Sequence, residues 1–480
     1  MIPVLQSRWR LEGQTLVYYG LRQPPHLFHR RIWLDRRTAA LVASLDGKRD
    51  ISQYIRTPGF QKLLREGIVT DRSLLRTSPS SLEDAAYCVR CAANDYAIPG
   101  LELDSHGLCP MCRTEEKYRY AKNVMPVLRT IPRSPDRRYD AAVFYTGGKD
   151  SSYLLYQLAR VQKLRVLSLT WETPFISDWA RESIAHAREA LPEVDFLVER
   201  APTPSLNAIY RKAYALQKNV CICPSVAYVL FFQRLCQWDV PYLVLGNEPS
   251  QCRNLIYNQM APAFYYHPLA QSAARLAVNT CRVFTLRRPF APGQMELYMT
   301  VRQLAFGGES SGKKRIYHNE LVENTASALA QAPDFLAPFR QAVREAARSA
   351  RLPALIHIDF DDISEGGVYD WTGVKELLSR EIGWVDAPDS GKGLHTSCKI
   401  ERCKEWSQLF RFRNMETCML PFSAIELSLA SAAGSVSRDR AIEELKRYSG
   451  FSSDLPPEWS IMLAIYAKKC GIDEKELRRD

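Results

Sequence analysis

The chain has 480 residues with 64 Lys and Arg against 53 Asp and Glu, a formal charge of +11. That length should bury a good core and divide into roughly two to four domains, which excludes a small stapled scaffold. The basic balance suits polyanionic or phosphorylated ligands as well as nucleic acid and does not choose among them. The longest apolar run, around Val226 to Phe232, is too short to span a bilayer, and the start MIPVLQSRWRLEG has no apolar signal core. The expectation is a cytoplasmic protein with no membrane partner. Thirteen cysteines, an odd number, point to metal binding and thiol chemistry over a disulfide framework. No repeat period and no low-complexity tract interrupts the chain.

Residues 1–80 hold strand-like stretches (LVYYGL, HRRIWL), a helical pattern through Leu41, Val42 and Leu45, the break DGKRD, a second helix through Phe60, Leu63 and Leu64, and a closing GIV. Residues 85–120 bear two cysteine pairs. Within residues 135–310, short apolar strands (AAVFY, LRVLSLTW, VDFLVE, PYLVLG) alternate with helical stretches, which predicts a parallel sheet with crossover helices. Residues 311–480 read as mostly helical, with Gly, Asp and Ser-rich loops near Gly307 to Gly312 and Asp386 to Gly393. The fold class expected is α/β, with a winged-helix-like module in front, a zinc ribbon, and a helical C-terminal region.

The cysteine block reads CVRC, seventeen residues, CPMC: Cys88, Cys91, Cys109 and Cys112. Two CxxC knuckles of this separation can converge on one tetrahedral Zn(II) with no open position, which makes the expected site structural.

The stretch VFYTGGKDSS passes from a strand through two glycines into a helix, so its backbone N–H groups and helix dipole form an anion cradle. Gly147 and Gly148 permit close backbone approach, Lys149 supplies charge, and Asp150 is a candidate ligand for Mg(II). Ser151 and Ser152 are expected to donate hydroxyls and cap the helix. The loop is expected to bind phosphate without supporting the core. It lacks the four residues that a Walker loop places between its glycine and GK. TGGKDSS instead resembles the SGGxDS loop of the ATP pyrophosphatases (PP-loop, adenine nucleotide alpha hydrolase-like, HUP-type), with Thr146 in place of the first serine. That resemblance implies ATP binding, attack of a substrate oxygen on the inner phosphate, and release of AMP and pyrophosphate. It further implies that the strand ending near Thr170 and Trp171 lines the adenine pocket and that Gly246, Asn247 and Glu248 of LGNE lie beside the triphosphate.

A ribbon of CxRC type ahead of a YD...GGKDSSY segment is similar to the N-acetyl sugar amidotransferases. The stretches YDWTGVKELLSREIGWVDAPDSGKGLHTSCKI and GSVSRDRAIEEL resemble the same family, so the likeness runs from about Cys88 to Leu445. It implies nitrogen transfer onto an activated sugar carbonyl.

Two features depart from that family. The N-terminal block WLDRRTAALVASLDGKRDISQYI...FQKLLREGIV resembles the pyrroloquinoline quinone synthesis protein D type of winged helix, which implies peptide recognition through a strand edge. A plain winged-helix or dimerisation domain is the other reading of those residues. The second departure is NVCICPSVAY, with Cys221 and Cys223 just before a helix. In tRNA-thiolating relatives a cysteine pair in a comparable place carries sulfur or binds an iron-sulfur cluster, and a thiol at a helix N-terminus is activated as a nucleophile. Two small buried apolar side chains are the alternative. Cys398 is a further candidate site thiol, whereas Cys236, Cys281 and Cys470 read as core positions, and no histidine is assigned to catalysis.

The function expected is therefore an ATP pyrophosphatase that adenylates a carbonyl or carboxylate oxygen and then transfers nitrogen. Catalytic candidates are Lys149, Asp150, Cys223 and Cys221, and the implied ligands are ATP, Mg(II) and Zn(II). Alternatives are sulfur transfer to a peptide, a carrier-bound substrate or tRNA, and a nucleotide-regulated peptide-binding protein. The basic stretches Arg133 to Arg138 and Gly312 to Arg315 carry no interleaved aromatics, which disfavours RNA. No cysteine nucleophile follows Met1, so a partner or solution must supply ammonia, or a partner sulfur, to an unidentified sugar, peptide or carrier-bound acceptor.

Overall fold

The computed structural model describes residues 2–6, 9–18, 31–48, 56–75, 79–98, 101–113, 129–251, 267–307, 320–386, 397–400, 422–448 and 457–473. The chain divides into two compact units, Met1–Glu115 with Arg411–Ala432 and Ser437–Phe451, and Glu116–Phe410 with Ala433–Val436 and Ser452–Asp480.

In the first unit β1 (Pro3–Leu5) and β5 (Val69–Asp71) pair antiparallel, and β2 (Trp9–Glu12), β3 (Thr15–Tyr18) and β4 (Arg31–Trp33) form a three-stranded antiparallel sheet. Helix α1 (Arg36–Ala43) begins where Asp35 accepts from the Thr38 backbone N–H at 2.9 Å, which satisfies one of the orphan donors of the first turn. Helix α2 (Pro58–Arg65) opens on a proline, whose missing N–H costs nothing there. Trp9, Leu16, Tyr18, Val42, Phe60 and Leu63 pack into one core, which is why the apolar residues recur at strand and helix spacing.

The second unit is an α/β layer structure. Five parallel strands lie in the order β10 (Ala354–Asp359), β9 (Tyr242–Asn247), β6 (Ala141–Phe144), β7 (Val166–Trp171), β8 (Asp195–Glu199). Every residue of β7 is buried, as a parallel strand covered on both faces requires. The four strands expected from AAVFY, LRVLSLTW, VDFLVE and PYLVLG are β6 to β9. The fifth, β10, comes from the region read as mostly helical.

Helices α3 (Lys149–Tyr156), α4 (Asp178–Ala190), α5 (Thr203–Gln217) and α6 (Cys223–Gln237) connect the strands up to β9. Between β9 and β10 lie α7 (Pro268–Phe284), α8 (Gln294–Phe306), α9 (Glu320–Leu329) and α10 (Pro333–Ser349). After β10 come α11 (Phe360–Ile363) and α12 (Trp371–Ile382), and later α13 (Phe422–Ala433), α14 (Arg438–Tyr448) and α15 (Pro457–Cys470). Among the described residues, no helix is long and apolar enough to cross a membrane.

The entry to the sheet is pinned by Asp140, 1% exposed, whose carboxylate accepts from Arg165 Nη2 at 2.7 Å, Arg165 Nε at 3.1 Å and the Ser134 backbone N–H at 2.7 Å. Burial pushes its carboxyl pKa up, but the Arg165 guanidinium and the backbone donors outweigh that and hold it at about 2. A depressed folded-state value means the contribution is intact above the unfolded value of 3.8 and is lost as pH falls toward 2. Asp140→Asn is expected to cost roughly 1–3 kcal/mol at pH 7 in a denaturant titration, because half-exposed Arg165 regains water instead of staying buried alone. The difference from wild type should shrink below pH 3.

Candidate nucleotide site and cysteine clusters

The loop Tyr145–Gly148 leaves the carboxyl end of β6 and runs directly into α3. Beside it, Asn247 ends β9, the neighbouring strand. After β6 the chain turns to β7 on one side, and after β9 it builds β10 on the other, so the crevice between these strands is the switch point of the sheet. The two segments singled out from sequence therefore meet at the place where open α/β sheets bind ligands.

Gly147 has φ +74°, and a Cβ there would lie 2.5 Å from the Ala180 carbonyl oxygen, so only glycine fits the turn. Its own carbonyl accepts from Trp384 Nε1 at 3.0 Å. Thr146 Oγ1 lies 3.1 Å from Ser151 Oγ, and Ser151 Oγ also donates to the Gly148 carbonyl at 3.1 Å. The N-cap of α3 is Gly148 with no side-chain cap, which corrects the expectation that Ser151 and Ser152 cap the helix. Ser152 is buried, with its Oγ 3.5 Å from the Tyr145 hydroxyl, so it supports the loop from inside and presents nothing to a phosphate.

Lys149 is held in a box. Its Nζ donates to Asp150 Oδ1 at 2.5 Å and to the Tyr369 hydroxyl at 3.0 Å, and lies 3.5 Å from Glu248 Oε2. Tyr369 donates to Asp150 Oδ1 at 2.8 Å, Gln251 Nε2 to Asp150 Oδ2 at 3.2 Å, and Trp371 Nε1 to Glu248 Oε2 at 2.7 Å. Burial alone would pull the Lys149 pKa down, but the two carboxylates outweigh it and the net direction is up, so the ammonium stays charged. Burial, then Asp150 and Glu248, push the Tyr369 phenol well above 10 and keep its proton in place. Lys149 thus belongs to a partly buried network that joins the loop to Tyr369 and Glu248. Asp150 and Glu248 converging on one cation fit a hard divalent ion such as Mg(II), for which the Lys149 ammonium stands in.

Gly246 is needed for packing, since a Cβ there would lie 2.3 Å from the Phe360 ring. Asn247 Nδ2 donates to His357 Nδ1 at 2.7 Å, and burial lowers the His357 pKa to about 4, so the ring is neutral. Thr170 Oγ1 donates to the Tyr145 carbonyl at 3.0 Å and so fixes the loop's start. Trp171, at the carboxyl end of β7, is 7% exposed and its Nε1 has no hydrogen-bond partner among the described residues.

In the other unit, the sulfurs of Cys88, Cys91, Cys109 and Cys112 all lie within 4.8 Å of one another. Cys88 Sγ and Cys112 Sγ are 3.8 Å apart and Cys91 Sγ and Cys109 Sγ 3.7 Å, close to the ~3.8 Å edge of a tetrahedron with ~2.3 Å metal–sulfur bonds. Backbone N–H groups of Ala93 and Cys109 donate to Cys91 Sγ and Cys88 Sγ at 3.4 and 3.3 Å, which suits thiolates. The donor set and spacing fit one tetrahedral metal ion, and no position is open.

Cys223 is the first residue of α6, and the Cys221 backbone N–H donates to Asn219 Oδ1 at 2.7 Å. Cys398 bridges to Ile176, just past β7. Burial first, then charge on Cys223, Cys470, Cys221 and Cys398, push the Tyr210 phenol well above 10. Cys470 is buried as expected, Cys236 is half-buried, and Cys281 is exposed, a correction to its reading as a core position. The basic run at Arg133 to Arg138 is engaged locally: Arg133 donates to the Lys163 carbonyl at 3.0 Å, Arg137 to that of Asp239 at 2.6 Å, and Arg138 pairs with Asp195 at 3.1 Å. Gly312 to Arg315 lies outside the described residues.

Sequence reasoning missed the individual roles of Tyr369, Trp371 and Trp384, although all three lie in the quoted YDWTG...EIGW stretch. The available signal was an aromatic pair flanking Asp370, which caps α12 through the Gly373 N–H at 2.7 Å.

No family model matches the sequence, and no curated protein matches it. Among solved structures, the U34-tRNA thiolase NcsA from Methanococcus maripaludis with its [4Fe-4S] cluster is matched over 73% of this chain and 86% of that one, at 14% identity and a TM-score of 0.25. So slight a likeness leaves the functional reading to this chain's own residues.

Proposed function

We propose that the protein adenylates a carbonyl or carboxylate oxygen of its substrate with ATP, releasing pyrophosphate, and that a nitrogen nucleophile then displaces AMP. The observation that carries this reading is the TGGKDSS turn at the β6/β9 switch point, with Asp150, Lys149 and Glu248 gathered beside the N-terminus of α3. Backbone N–H groups at the start of α3 would receive the outer phosphates. The substrate oxygen would attack the inner phosphorus as the bond to the bridging oxygen breaks, the electron pair leaving with pyrophosphate. Asp150 and Glu248 would hold Mg(II), which would supply charge neutralisation for that leaving group. The unpartnered Trp171 Nε1 offers a donor to the nucleotide or acceptor at the same edge. Zn(II) in the Cys88–Cys112 site would serve the fold, and the first unit would bring a peptide or carrier-bound acceptor to the adenylating site.

Nitrogen transfer is supported by the YDWTG and GW segments, which carry the likeness to sugar amidotransferases and which also contact the loop through Tyr369 and Trp384 and Glu248 through Trp371. A second reading, sulfur transfer, is favoured by Cys223 in the first turn of α6 with Cys221 two residues before it, and by Cys398, whose backbone bridges to Ile176 just past β7. Mass spectrometry of the product formed in cells separates them. Exchange of oxygen for NH lowers the product mass, and exchange for sulfur raises it. Under the nitrogen reading Cys223→Ser leaves product formation within about twofold, whereas a sulfur carrier loses product while still releasing AMP.

A further inference from the structure

The Lys149 ammonium has three N–H donors, and three partners surround it: Asp150 Oδ1, the Tyr369 hydroxyl and Glu248 Oε2. The rings of Tyr369 and Trp371 also lie against it, with centroids 4.4 and 5.2 Å from Nζ. The same two aromatic residues also hold the carboxylates, Tyr369 by donating to Asp150 and Trp371 by donating to Glu248. Two carboxylates hold this one ammonium, and their charge opposes its departure toward a triphosphate. A lysine so engaged cannot also grip phosphate. A divalent ion between the carboxylates would reverse the balance and release the ammonium toward the cradle.

We propose that Tyr369 and Trp371 are positioning residues that park Lys149 between Asp150 and Glu248 in the nucleotide-free protein, so that a divalent cation must displace the ammonium before Lys149 can turn to ATP. The inference rests on the ATP reading of the loop and adds an order to it: metal first, nucleotide second, each strengthening the other.

The test is acetylation of the full-length protein by an N-hydroxysuccinimide ester, with the rate at Lys149 read by peptide mass spectrometry against exposed Lys62 as the internal reference. Without divalent ions Lys149 should react slowly. Magnesium chloride alone should raise its rate about tenfold, the scale set by giving up a charge-assisted hydrogen bond. ATP with magnesium should suppress it again. Tyr369→Phe keeps the ring and removes the hydroxyl, so its Lys149 should react faster without metal and the magnesium effect should fall below about threefold. An unchanged Lys149 rate on adding magnesium to wild type overturns the proposal, and this readout needs no variant to fold. Equilibrium dialysis distinguishes the two levels of the reading. Equal ATP affinity in EDTA and in magnesium overturns the order while leaving ATP as the ligand, whereas no ATP binding in either condition overturns both.

Discussion

Asp150→Asn is expected to lower AMP and pyrophosphate formation about 100- to 1,000-fold, the scale for losing one preorganised charged group at a transition state. Asp150 receives Lys149, Tyr369 and Gln251, so removing its charge disturbs the cation seat and the lysine together. The amide keeps the shape of the side chain, and Lys149 retains Glu248 as a counterion. Thermal unfolding should therefore shift by only a few degrees, which separates lost chemistry from lost fold. Lys149→Ala is the less informative variant. It takes the ammonium from between half-buried Asp150 and buried Glu248, which costs stability as well as charge at the site. A drop in activity there would mix both effects. Full turnover by Asp150→Asn would remove this residue from the chemistry.

Cys109→Ser is expected to take the metal content of the purified protein from about one zinc per chain to near zero, because a closed four-thiolate site has no spare ligand. Structural zinc sites contribute on the order of 10 kcal/mol to the folding of small metal-bound elements, so the loss should be felt beyond the knuckles. Arg438 Nε donates to the Cys88 carbonyl at 3.1 Å and the Ala92 N–H donates to Ser431 Oγ at 3.1 Å, which ties the cysteine turns to α13 and α14 within the same unit. Limited proteolysis should open residues 88–112 first in the variant. Metal content is read by inductively coupled plasma mass spectrometry. Iron and sulfide in anaerobic wild-type protein, in place of zinc, would contradict the structural-zinc assignment.

What could be read from sequence was what is local. A strand, two glycines and a helix start occupy ten consecutive residues, and only Gly147 tolerates the turn beside Ala180, so the cradle was visible as a pattern. The paired CxxC spacing likewise encodes its own geometry, since each knuckle brings two sulfurs together within four residues. The partners of Lys149 were not visible in this way. Tyr369 meets Asp150 across 219 residues of chain, through a contact that exists only because β10 joins the sheet beside β9 and carries α11 and the YDW segment to the loop. The six residues ALIHID, four of them apolar, lie between helices and have no period that separates an edge strand from a buried helical turn. The exposed Cys281 shows the converse: α7 carries Leu269, Leu276 and Phe284 on exposed positions, so an apolar helix pattern there did not report burial. Ser152 was read together with Ser151, but one residue on is about 100° around the helix, which turns its hydroxyl inward toward Tyr145.

The central claim, that the TGGKDSS turn directs cleavage between the inner and middle phosphates, is tested most directly by phosphorus NMR of ATP incubated with the full-length protein and magnesium. The reading predicts AMP and pyrophosphate in equal amounts, with Asp150→Asn silent under the same conditions. ADP and orthophosphate as the products would contradict it.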